Sequence, residues 1–71
     1  MPLAPLDRKA ELVRRGVTQS AIARKCGVSQ PHINDVLYGR RRNERIEAVI
    51  AEAIERKPEE VFPPREFPAG V

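Results

Sequence analysis

The chain has no tryptophan, one cysteine, one histidine and only three other aromatic residues, two Phe and one Tyr. Cys26 cannot close an internal disulfide, and one Cys with one His cannot assemble a zinc site within one chain. On an apolar helix face Cys26 is expected to behave as a small buried hydrophobe. No apolar run is long enough for a signal peptide or a membrane span, so a cytoplasmic protein without a membrane partner is expected. His32 has no nucleophile–base–orienter set around it, and 71 residues leave little room to enclose a substrate. Enzymatic function is therefore not expected, and neither is a cofactor, a metal or a small-molecule ligand. Internal repeats and alternating strand patterns are also missing, which leaves an all-α reading of four helices plus a short fifth.

What is there is charge, unevenly placed. Residues 1–57 hold 12 Lys+Arg against 7 Asp+Glu, a net +5, while residues 58–71 hold one Arg and three Glu, a net −2. A cationic helical part suits a polyanion, with counterion release supplying non-specific affinity. A solvated charged surface would also account for a balance of this size. Seventy-one residues make one small domain with a modest core, expected to gain from dimerisation.

Met1 to Pro5 reads as a short flexible arm. From Leu6, the apolar positions Leu6, Ala10, Val13 and Val17 repeat at helical spacing and predict the buried face of a first helix, which Gly16 breaks. Asp7 near its start and Arg14 and Arg15 near its end suit the helix dipole. A second helix is predicted over Thr18 to Lys25 and a third over Ser29 to Tyr38. Asn43 can cap a fourth, whose Ile46, Val49, Ile50, Ala53 and Ile54 form an apolar stripe. Pro58 then opens PEEVF, one short turn that tucks Val61 and Phe62 onto the core. Pro63, Pro64 and Pro68 make residues 64–71 an extended tail.

The densest pattern runs from Gln19 to Tyr38, QSAIARKCGVSQPHINDVLY. Thr18 can cap its first helix. Ile22 and Cys26 are four apart and share a face. Ala23 is small where two helices must approach. Gly27 stands where a left-handed backbone stops the helix, and Val28 points back to the core. Ser29 is a second cap, Pro31 falls in a first turn where its missing N–H costs nothing, and Ile33, Val36 and Leu37 bury the second helix. Gly39 ends it. Two short helices joined in this way form a helix-turn-helix, which can present the start of its second helix to the major groove. Base readout would then come from Gln30, His32, Asn34 and Asp35. Gln30 can pair with adenine and Asp35 can accept from cytosine N4. His32 reads equally as a surface or cap residue, and Asp35 equally as a solvent-facing charge. Arg40, Arg41 and Arg42 form a cationic run directly after the reading helix, extended by Asn43 and Arg45, and suit phosphates. For Arg24 and Lys25 simple solubility is as good a reading as contact.

The segment TQSAIARKCGVSQPHINDVLYG resembles the Cro/repressor-type (lambda-repressor-like, XRE class) helix-turn-helix family of phages and bacteria. The resemblance continues through RRRNERIEAVIAEAIERKPEEVFP and covers residues 6–63; small Ner-like and anti-CRISPR-associated repressors look similar. It implies a lambda-repressor-like DNA-binding domain with base-reading positions at Gln30, Pro31 and Asp35. Pro31 departs from the polar residue usual there and can only touch a thymine methyl or shape the backbone. The family also uses the amide at Gln19 to grip a phosphate, and Ser29 stands beside it at a helix N-terminus.

The function this implies is sequence-specific binding of double-stranded DNA by a small phage or mobile-element (auto)repressor, as a homodimer on an inverted repeat. A protein-interaction adapter and an antitoxin-like DNA-binding partner are the other readings, and the arginine run argues against the adapter. Val61, Phe62 and Phe67 are candidate dimer contacts, although Phe62 could equally close the core of one chain.

Overall fold

The computed structural model describes residues 2–63. Every regular element among them is a helix: α1 Pro5–Arg14, α2 Gln19–Cys26, α3 Gln30–Leu37, α4 Glu44–Ala53 and α5 Pro58–Val61. The all-α expectation holds, and the phase of α1 is what changes.

Local chemistry starts and stops these helices. Thr18 Oγ1 accepts the Ala21 N–H at 3.0 Å and opens α2. Gly27 closes it in the left-handed region, with φ 71°, where a Cβ would be strained. Asn43 Oδ1 accepts the Ile46 N–H at 3.1 Å and opens α4. Glu60 Oε1 accepts the Lys57 N–H at 2.9 Å at the start of α5. The chain leaves α4 through Glu55, which holds φ 58° although it is not a glycine.

The core joins all five helices. Leu12 from α1, Ile22, Ala23 and Cys26 from α2, Ile33, Val36 and Leu37 from α3, and Ile46, Ile50 and Ala51 from α4 are buried together. Ile54 follows α4 into the same core, and Val61 and Phe62 close it from the C-terminal side. Val61 has no exposed surface and Phe62 is 2% exposed, so both are consumed within one chain and do not face a partner. That corrects the dimer contact expected of them and agrees with the turn expected to tuck them inward. The N-terminal arm is not free either. Leu3 is half-buried against the core and donates its N–H to the Glu60 carbonyl at 3.2 Å.

The stripe expected to bury α1 faces the other way. Leu6 is 72% and Val13 68% exposed, and Ala10 is exposed as well, while Val17 is half-buried beyond the helix. The buried face carries Arg8 and Leu12, four apart on one side. The reason is a demand from elsewhere in the chain. Arg8 Nε donates to the Val61 carbonyl at 2.8 Å, and its Nη1 donates to the Leu37 carbonyl at 2.7 Å. These are the last residues of α5 and α3, whose carbonyls have no partner within their own helices. Buried and unpaired they would destabilise the fold, and a planar guanidinium answers two acceptors at once. The guanidinium also lies 4.5 Å over the Phe62 ring. Burial lowers the Arg8 pKa from its ordinary value, the Arg42 charge lowers it further, and Glu47 opposes both.

Candidate nucleic-acid interface

The exposed start of α3 stands beside the start of α2. Gln19, Gln30, Pro31 and Asn34 line one shallow groove of about 290 Å³. Three of these four side chains are amides, which carry both donors and acceptors for base edges or phosphate oxygens. Gln30 is exposed, and its Oε1 accepts a hydrogen bond from Ser20 Oγ at 3.0 Å. That bond steadies the side chain and leaves Nε2 to donate to a base acceptor. The second lone pair of Oε1 can still accept from adenine N6, so a two-point grip is compatible with the Ser20 bond. Asn34 is half-buried, with its Oδ1 turned inward and unpaired, so its Nδ2 is the end left for a base. Pro31 sits in the first turn of α3 and is exposed.

Ser29 adopts the extended backbone of an N-cap, and its carbonyl accepts the His32 and Ile33 N–H groups at 3.1 and 3.3 Å. Its side chain makes no capping bond. The hydroxyl of Ser29 is therefore available at a helix N-terminus, where an anion is favoured.

The remaining expected contacts divide into two groups. His32 is half-buried, and its Nε2 lies 3.4 Å from Arg41 Nη1, so these two act as neighbours on the rim. Arg41 is exposed, and Arg45 is exposed on the first turn of α4. Arg40 is exposed too, but its Nε donates to Asp35 Oδ1 at 3.1 Å and its guanidinium lies 5.4 Å over the Tyr38 ring. Arg40 thus offsets the Asp35 charge through Oδ1 and leaves Oδ2 as the oxygen that could accept from cytosine N4.

Arg42 and Asn43 do structural work. Arg42 Nε and Nη2 donate to the two carboxylate oxygens of Glu47 at 2.8 and 3.3 Å, and Nη2 also reaches the Pro63 carbonyl at 2.9 Å. Glu47 also accepts the Asn43 N–H at 3.2 Å. Asn43 spends its side-chain oxygen on capping α4. The buried Glu47 carboxylate and the Pro63 carbonyl claim Arg42, whereas the cap uses only the oxygen of Asn43 and leaves its Nδ2 as a donor for a phosphate. Phe67 lies outside the described residues. Ser20, Arg8 and Glu47 are the residues that sequence reasoning missed. A serine behind Gln19 carries no distinguishing pattern, and charged residues on helix stripes read as solvated.

No helix among the described residues is long and apolar enough to cross a membrane. A family model described as winged helix-turn-helix DNA-binding matches residues 3–69. Comparison with curated proteins and with solved structures found no match. The family description includes a wing, whereas the described residues build the groove from helices alone. The match spans nearly the whole chain and agrees with the helix pair and the amide-lined groove at its tip: the chain belongs to the winged helix-turn-helix DNA-binding family.

Proposed function

We propose that the chain is a sequence-specific regulator of the Cro/repressor type, which lays the start of α3 in the major groove and acts by occupancy as a homodimer on an inverted repeat. The role is non-enzymatic. The carrying observation is the single groove lined by Gln19, Gln30, Pro31 and Asn34. Exposed Arg40, Arg41 and Arg45 follow it in the chain. Amides at a helix tip read base edges, while guanidinium groups hold phosphates and set the docking. Gln19 and the Ser29 hydroxyl add phosphate contacts at helix N-termini. An autorepressor of a phage or mobile element is the fitting role, since blocking polymerase needs no surface beyond the DNA-binding one.

Selection from random duplexes, followed by footprinting on the DNA upstream of the protein's own gene, tests the reading. A two-fold symmetric site is expected. Gln30→Ala should weaken the selected site by roughly 1–3 kcal/mol and random DNA very little. Equal losses on both would show that Gln30 reads no base.

A further inference from the structure

Among the described residues, nothing covers the outward face of α1. Leu6 and Val13 are the two large hydrophobic side chains strongly exposed among the described residues, at 72% and 68%, and Ala10 lies between them on the same face. Positions four and seven residues after Leu6 form one stripe along a helix. The core does not use this stripe, because Arg8 and Leu12 fill the inward face.

We infer that this stripe of α1 is where two copies of the chain pair, antiparallel, about a two-fold axis passing near Ala10. The inference rests on the homodimer reading above and gives it a surface. The stripe is self-complementary. In an antiparallel pair centred between Lys9 and Ala10, Leu6 of one copy meets Val13 of the other, twice, and the small Ala10 lets the helices approach to about 8–10 Å. Its flanking charges are complementary too. Asp7 and Arg14 each follow one residue after Leu6 and Val13, so they share a flank of α1. A two-fold of this kind sets that flank against itself, bringing Asp7 of one copy beside Arg14 of the other on both ends of the pair. The Arg14 side chain is 73% exposed and pairs with Glu11 of its own helix at 3.1 Å, so reaching across exchanges one exposed ion pair for another. Lys9 lies on the opposite flank and meets its own counterpart near the axis. Its flexible stem lets the ammonium swing into water.

The stripe is continuous with the reading surface. Val13 and Lys9 line a cleft together with Gln19, Ser20 and Gln30. The paired face therefore borders the groove, and a two-fold there sets two grooves side by side. α3 packs against the inward side of α1, opposite the stripe. An interface of two ten-residue helices is small, so pairing is expected to be weak in free protein and completed on DNA.

Sedimentation of the full chain over a concentration series, alone and on duplexes carrying one or two half-sites, provides the test. Leu6→Asp and Val13→Asp alter exposed positions, so the circular dichroism and melting of the chain should stay native. Each should weaken self-association at least about tenfold and abolish cooperative loading of the two-half-site duplex, and Leu6→Asp, which lies outside the cleft beside Gln30, should also retain single half-site binding. Asp7→Lys alone and Arg14→Glu alone should each weaken pairing, and the double charge exchange should restore it. A wild-type chain that is monomeric both free and on its full site overturns the inference. So does a dimer unaffected by Leu6→Asp and Val13→Asp. In either case single half-site binding still reports on the DNA reading independently, and loss of that binding in the wild type would overturn the functional reading itself.

Discussion

Arg8→Ala removes a side chain that ties the ends of two helices together, and its cost can be worked from the contacts. Hydrogen bonds to a charged group contribute roughly 1.5–3 kcal/mol each, so the bonds to Leu37 and Val61 carry about 3–6 kcal/mol between them. Truncation also ends the stacking on Phe62 and leaves two buried carbonyls unpaired. Against this, the buried guanidinium no longer has to be stripped of water, which offsets part of the loss. A net destabilisation of about 3–4 kcal/mol is expected. A chain of this length has about 4–10 kcal/mol in all, so the alanine variant should stand near its unfolding threshold at 25 °C. Arg8→Met keeps most of the volume and loses only the bonds, so it should cost less than Ala. Arg8→Lys keeps one charged donor group without the fork that reaches both carbonyls, and should cost least. Urea unfolding followed by circular dichroism gives the ranking. A loss below about 0.5 kcal/mol for Arg8→Ala, with an unchanged denaturant slope, would refute the claim that this residue holds the end of the reading helix.

The arginines after α3 should separate into different kinds. Arg41→Ala should leave the melting temperature in place, weaken binding to all DNA and flatten the salt dependence by about one unit, measured by fluorescence anisotropy at several salt concentrations. Arg42→Ala should instead cost about 2–3 kcal/mol of stability, because the Glu47 carboxylate, 6% exposed, loses both of its guanidinium bonds. Glu55→Gly should stabilise the fold despite losing the exposed Arg15 pair at 2.9 Å. Relief of the left-handed backbone is worth about 1–2 kcal/mol and the surface pair under about 1 kcal/mol, so calorimetry should show a melting temperature raised by a few degrees.

Much of the helix-turn-helix could be read directly from the residues, because the signals that make it are local. Thr18, Gly27 and Asn43 act on backbone groups within four residues of themselves, so their types and positions carry their roles. The stripes of α2, α3 and α4 likewise repeat within single helices. The amides that line the groove follow from the same local order, since the first turn of α3 is exposed wherever its last turns are buried.

The face of α1 was decided elsewhere. Its apolar spacing points to Leu6, Ala10 and Val13, yet the carbonyls that select Arg8 as the inward residue come from Leu37 and Val61, 29 and 53 positions along the chain. The division of the arginine run has the same origin. Arg41 and Arg42 are identical neighbours, and only the packing of α4 brings the buried carboxylate of Glu47 to one of them. Asp35 and Gln30 had their partners, Arg40 and Ser20, assigned by how the turns close. Periodicity and capping are determined by neighbours along the chain and were set by the sequence alone. Which polar groups must be answered in the interior depends on which helix ends meet there, and that only the tertiary structure decided.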